Sequence, residues 1–255
     1  MATELRVAGG TSRGISDAEG KARFELAATY RAAAHYGWGN LIYNHIAMRV
    51  PGEPCFLVKP HNVMFSEVCA SQLIKLRLDG APVNESQNVN AAGFTIHTAV
   101  LNARPDLNCT IHVHANAGIA MSAHKKGILP LNQGAMRFYN RISYHDYEGI
   151  ADDIDEARRL ARDIGPTNKA VMLRNHGQLT AGETASEALT LMRYLIQACE
   201  VQMMIESTGA ELTIPAPEVC ERTARQFERF QKINDREDWL AYLRIIDQID
   251  TSYRN

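Results

Sequence analysis

The chain has 255 residues, with 27 Lys and Arg against 29 Asp and Glu, for a net charge of −2. That length fits one sizeable domain rather than two, and the charge balance supplies no basic field to draw in a nucleic acid backbone. Hydrophobic residues at 45% are ordinary for a globular enzyme, and no run approaches the roughly 18 apolar residues that a membrane span requires.

Residues 1–16, beginning MATELRVAGGTSRG, read as a loose arm without the apolar segment of a signal peptide. From Asp17, DAEGKARFELAATYRAAAHYG predicts an Ala-rich helix ending near Gly37, with Asp17 accepting the first free N–H groups. HIAMRV (45–50) and PCFLVK (54–59) predict short strands about a Pro-Gly turn, and SQLIKLRLDG (71–80) a half-exposed strand closed by Asp-Gly. Asn90 to Ala103 has a helical period, with Phe94, His97, Thr98 and Leu101 on one face, and Arg104-Pro105-Asp106 stops it. A buried strand is expected from Cys109 to His114, a helix from Ala115, and two short strands between Phe138 and Tyr147. DDIDEARRLARDIG (152–165) is an amphipathic helix. KAVMLRNHG (169–177) and GQLTAG (177–182) are strands, 183–207 a long buried helix, and the tail after Pro215 and Pro217 helical and charged.

Many strand links are too short for crossovers, so the sheet should be mixed or largely antiparallel within one α/β domain. The expected organisation is an arm at 1–16, a domain at 17–212 and a helical appendage at 213–255. Five scattered cysteines without a CxxC pair suit reduced thiols in a cytoplasm.

In a strand, residues i and i+2 leave the same face, so His112 and His114 of TIHVHANAG point the same way, about 6–7 Å apart at their bases. That spacing suits two imidazoles converging on one ion, and it equally suits two histidines packed in a strand. His176, in LRNHG, closes another strand before Gly177 and offers a third imidazole. Three neutral imidazoles with an open position suit catalytic zinc, manganese or iron.

The run NAAGFTIHTAVLNARPDLNCTIHVHANAGIAMSA, followed by SYHDYEG and VMLRNHGQLTAG, resembles the class II aldolase/adducin family. With YNHIAMRV and QACEVQ, the similarity spans about residues 20 to 210. The resemblance implies a three-layer α/β/α sandwich with a mixed, mostly antiparallel central sheet. It implies that His112, His114 and His176 bind a divalent metal ion. It also implies a homotetramer with small-molecule sites at subunit interfaces.

In the family's sugar-phosphate aldolases, the helix before the HxH strand opens with a Ser-Ser-Glu motif that holds substrate phosphate and contacts the metal. Ala91, Ala92 and Gly93 stand there in this chain, and GWGNLIYNHIAMR lacks the Gly-Asn pattern of the other phosphate loop. The expected activity is therefore a metal-dependent carbon–carbon lyase, aldolase-like or decarboxylating, on a small carbonyl or carboxylate substrate without phosphate. The alternatives are an iron-dependent oxygenase on the same three histidines and an adducin-like module without catalysis. The adducin head shares the Ala-Gly-Phe helix start and the HDY motif, but Lys232 is the only lysine after Lys169, unlike the Lys-rich adducin tail. Tyr139, His145 and His97 are the candidates for the acid/base work of the missing glutamate. Arg174 is expected on the strand face of His176, paired with a substrate carboxylate or a structural partner.

Overall fold

The computed structural model describes residues 15–83, 91–149 and 154–255. Apart from its last two residues, the expected N-terminal arm lies outside them. The strands β1 (His45–Arg49), β2 (Cys55–Val58), β3 (Ile74–Arg77), β4 (Cys109–Val113), β5 (Ile142–His145), β6 (Ala170–Leu173) and β7 (Gly177–Gly182) form one sheet. Their order is β3-β2-β1-β4-β7-β6-β5, and only β5 and β6 pair in parallel. The helices are α1 (Asp17–His35), α2 (Ala91–Ala103), α3 (Asn116–Ser122), α4 (Ile154–Ile164), α5 (Ala185–Glu206) and α6 (Pro217–Asp247).

Alternation along the strands divides the core between two faces. Val171, Leu173, Leu179 and Ala181 meet Ile96 and Val100 of α2 and Leu160 and Ile164 of α4. Ala170 and Met172 point the other way, to Met121 of α3 and Leu191 and Leu195 of α5. On the same side, Ile46, Ile111 and Val113 pack on Leu26 and Tyr30 of α1, Leu189 of α5, and Leu243 and Ile246 of α6. The result is the expected three-layer α/β/α sandwich. No helix among the described residues is long and apolar enough to cross a membrane.

The β1 and β2 strands pair only over Met48↔Leu57 and Arg49↔Phe56. Toward His45 the fully buried Tyr30 takes over from the ladder. Its hydroxyl accepts from the N–H of Ile46 at 2.9 Å and of Lys59 at 3.3 Å, and donates to the Ile46 carbonyl at 2.5 Å. One phenol thus holds the strand that begins with His45 to α1 and to the end of β2.

Several local expectations are corrected. Ser16, rather than Asp17, caps α1, its Oγ accepting from the Glu19 N–H at 3.2 Å. Only one strand, β5, lies between Phe138 and Tyr147; Ala135–Phe138 is a 3-10 turn. Asn132 Oδ1 accepts from the Ala135 N–H and so caps that turn, and Asn140 takes a left-handed φ of 55°, which breaks an extended path. In 71–80, a 3-10 turn at Ala70–Gln72 precedes β3. The strand read over 169–177 stops at Leu173, leaving Arg174, Asn175 and His176 in the turn into β7.

At the far end of β7, a Cβ on Gly182 would lie 2.6 Å from both the Ala188 nitrogen and the Thr184 carbonyl oxygen, where α5 begins. Backbone cannot give way as a flexible side chain can. Gly182→Ala is therefore expected to destabilise the fold by about 1–3 kcal/mol. A lowered urea midpoint would register this, with the histidine cluster at the opposite end of the strand left undisturbed.

Candidate metal centre

Three elements bring three imidazoles together. His112 lies near the end of the central strand β4, buried, and His114 follows directly after it. His176 closes the turn between β6 and β7, after Asn175 in a left-handed conformation at φ 56°. One nitrogen from each ring fits within a mutual distance of 4.8 Å. The ring centroids are 4.8 Å apart for His112–His114 and His112–His176, and 4.9 Å for His114–His176. Gly177 is required by close approach: a Cβ there would sit 2.9 Å from the Val113 carbonyl oxygen and 3.0 Å from His114 Cδ2.

The donor set suits a cation. His112 Nδ1 lies 3.1 Å from the Gln178 carbonyl oxygen, an acceptor only, so that nitrogen carries the proton and Nε2 keeps its lone pair. That Nε2 is 3.0 Å from His114 Nε2. Nitrogens sharing a tetrahedral zinc lie about 3.3 Å apart, given bonds of roughly 2.0–2.1 Å. The hydrogen bond that fixes the tautomer of a metal-binding imidazole is thus already made, by the Gln178 carbonyl. All three rings are held neutral. Burial, then neighbouring imidazoles, keeps His112 well below its usual range, and burial pulls His176 down to about 4. His114 is lowered by burial as well.

A fourth histidine, absent from the sequence-based candidates, stands beside them. His45 pairs directly with His112 across β1 and β4, and their ring centroids are 5.1 Å apart. Its Nδ1 lies 2.8 Å from His97 Nε2, and His97 Nδ1 lies 2.6 Å from Thr110 Oγ1. His97 is therefore fully buried behind His45 rather than open to the three histidines. Burial depresses His45 well below the usual imidazole range, with His97 adding to it, and takes His97 to about 3. Nearby, Lys59 Nζ donates to the Ile42 carbonyl at 2.8 Å, and burial lowers its ammonium to about 8.

The other candidates separate. His145 closes β5 opposite Leu173, faces α4, and its Nδ1 lies 2.7 Å from Asp163 Oδ2. Its buried Nε2 has no hydrogen-bond partner, and the ring lines a small cavity together with His176 and Arg174. Tyr139 lies beyond the other end of β5, its carbonyl accepting from Arg141, which is tied to Glu221 and Glu228 of α6. The structure does not bring it to the histidines. Arg174 is in the turn rather than on a strand; it donates to the His124 carbonyl and lies over the Tyr144 ring, 4.3 Å from the centroid. No ion pair is present for it among the described contacts, and it lines the small cavity that His145 and His176 share. Ala91–Gly93 open α2 as expected, with no hydroxyl or carboxylate in their sequence.

These depressions have a stability consequence. An unfolded histidine titrates near 6.5, whereas His176 and His97 in the fold titrate at about 4 and about 3. Their contribution is complete above the unfolded value and is lost as pH falls toward the folded ones, because the unfolded chain then binds protons that the folded chain refuses. The metal-free protein should lose stability at up to about 1.4 kcal/mol per pH unit per histidine below pH ~6.5. Urea midpoints measured across that window check this, with His97→Gln giving the shallower slope.

Fold and cluster together define a class: an α/β/α protein whose central strand and neighbouring turn present a convergent set of neutral imidazoles. Residues 24–203 match the class II aldolase and adducin N-terminal domain family. A provisionally named aldolase class 2 protein of Caulobacter vibrioides is 43% identical over 83% of each chain. Another, of Pseudomonas aeruginosa, is 40% identical over 94% of each. Alpha-adducin of Rattus norvegicus is 44% identical over 71% of this chain, which spans 25% of that protein. The crystal structure of an aldolase II superfamily protein from Pseudomonas syringae matches with a TM-score of 0.90 at 38% identity, over 95% of this chain and 98% of that one. L-fuculose 1-phosphate aldolase from Glaciozyma antarctica shares the fold, with a TM-score of 0.83 at 24% identity over 98% of both chains. The chain belongs to the class II aldolase and adducin family.

Proposed function

We propose that the chain is a divalent-metal-dependent carbon–carbon lyase, aldolase-like or decarboxylating, acting on a small carbonyl or carboxylate substrate without phosphate. The observation that carries this reading is the convergence of His112, His114 and His176 within 4.8 Å. These three residues would hold zinc, manganese or iron, and the bound ion supplies positive charge that polarises a carbonyl or carboxylate oxygen. The absence of hydroxyls and carboxylate at Ala91, Ala92 and Gly93 supports a substrate without phosphate.

The chain's own residues do the rest. With the Thr110 hydroxyl donating along the series to His97 and His45, His45 presents an N–H on Nε2; with Thr110 accepting, it presents a lone pair. His45 is assigned hydrogen bonding to the substrate, and His97 the positioning of His45. His145, oriented by Asp163, with Glu156 Oε1 3.9 Å from its Nε2 and its ring lining the cavity it shares with His176, is assigned proton transfer. His145→Gln is expected to lower kcat by about 10²–10⁴-fold with metal content unchanged. No role falls to Tyr139.

The test is metal analysis of protein purified without chelators, with assays for aldehyde, ketone or CO2 release from 2-hydroxy and 2-oxo acids in air and under nitrogen. Release that persists without oxygen, with stoichiometric metal, supports the lyase. Iron-dependent oxygenation on the same three histidines is the second reading, and a strict need for oxygen and iron would move the assignment there. A site that stays empty with added zinc, manganese or iron would leave an adducin-like binding role.

We further propose a homotetramer with sites at subunit interfaces. Leu41 and Tyr43, 70% and 53% exposed on the loop into His45, support this, and light scattering tests it. Five free cysteines fit a reducing cytoplasm. We divide the chain into a site-bearing unit at 17–212 and a helical strap at 213–255, whose Tyr242, Leu243 and Ile246 enter the main core.

A further inference from the structure

At the end of the sheet away from the histidines, between α5, α6 and the start of β6, lies a cavity of about 260 Å³. Arg137, Phe138, Lys169, Leu191, Gln231 and Lys232 are among its lining residues. Arg137 is only 7% exposed. Its guanidinium lies against two rings, with Cζ 4.9 Å from the Tyr194 centroid and 5.0 Å from that of Phe227. One N–H donates to Gln231 Oε1, and no carboxylate among the described residues lies within ion-pair distance.

Two of the neighbouring cations are matched. Arg141 holds Glu221 and Glu228, and Lys169 holds Glu183 and Glu187. Arg137 is therefore a buried cation with no direct counter-charge, an expensive arrangement unless an anion completes it. Burial works against its charge, while the carboxylates of Glu187 and Asp238 favour it only from a greater distance.

Two features narrow the anion. The Tyr194 and Phe227 rings crowd one side of the guanidinium, their centroids 5.8 Å apart, and its paired N–H groups match a planar carboxylate held by two parallel hydrogen bonds. Glu183, Glu187 and Glu228 also line the cavity, so a dianion such as phosphate meets repulsion that a single negative charge largely escapes. Phe138 and Leu191 offer an apolar wall beside it. We propose that this cavity binds a small organic monocarboxylate, its carboxylate in the plane of the Arg137 guanidinium and its apolar body against Phe138 and Leu191. Lys232, exposed at the rim, draws the anion in.

The test titrates benzoate, propionate, benzamide and inorganic phosphate into the full chain, read by calorimetry and thermal shift. Benzoate or propionate should bind saturably to the wild type and equally well to His112→Ala, since the histidines lie at the other end of the sheet. Benzamide and phosphate should not bind, and Arg137→Gln should weaken carboxylate binding by about tenfold or more. Because that variant alters a packed aromatic site and its folding is at risk, a crystal of the unaltered chain grown with 4-bromobenzoate gives the second readout. A bromine anomalous peak in this cavity supports the site. No saturable binding of either carboxylate, phosphate binding as well as benzoate does, equal binding by Arg137→Gln, loss of binding in His112→Ala, or bromine elsewhere would each overturn it.

Discussion

His112→Ala is expected to leave the purified protein without stoichiometric metal, while wild-type protein prepared in parallel retains it. His112 is the centre of the cluster: it contacts both other imidazoles, and its tautomer is fixed by the Gln178 carbonyl. Loss of an outer-shell partner alone typically weakens metal binding 10–100-fold, so loss of this ligand should cost more than about a hundredfold. The fold should survive. The truncation leaves one carbonyl unpaired and a small void, a penalty of about 1–3 kcal/mol. Elemental analysis together with a urea melt separates the two effects. If the variant keeps as much metal as the wild type, the three-histidine assignment is wrong.

Tyr30→Phe carries the largest expected stability change for the removal of a single atom. The Tyr30 hydroxyl is the partner of two backbone N–H groups and one carbonyl at a fully buried position. Phenylalanine fills the same volume but pairs with none of them, and each unsatisfied buried group costs about 1–3 kcal/mol. Partial relaxation brings the expected total to about 2–4 kcal/mol. Because Ile46 is among the freed groups, the N-terminal end of β1 should loosen and carry His45 with it. Hydrogen exchange at Ile46 and Lys59 would report this directly. A loss under about 0.5 kcal/mol would mean that the backbone groups find other partners and that Tyr30 is not the tie described here.

The parts of the molecule legible in the sequence are those written in a local period. The stripe of α2, the apolar run of β4 and the i, i+2 relation of His112 and His114 each follow from a few adjacent residues. His45 is not legible in this way because its importance depends on register: pairing with His112 joins strands distant in sequence, and no local pattern encodes that. The turn at Ala135–Phe138 was masked by aromatic and branched neighbours that favour strands, whereas side-chain capping by Asn132 and a left-handed Asn140 decided the backbone. Arg174 shows the same limit. Charge suggested an ionic partner, but the turn carries its guanidinium to a carbonyl and a ring. Reading His176 as a strand end located it within one turn of its place, yet the reason for Gly177 is crowding by β4, which only the assembled sheet reveals.

The seating of the imidazoles bears on competition between protons and metal. At an exposed histidine cluster, protons begin to displace a bound cation near pH 6.5, where free imidazole titrates. Here burial has lowered His112 well below that range and His176 to about 4. Protons are poor competitors for these nitrogens until the medium is strongly acidic. Where the three histidines hold a metal ion, its occupancy should therefore begin to fall at a lower pH than that of an exposed cluster.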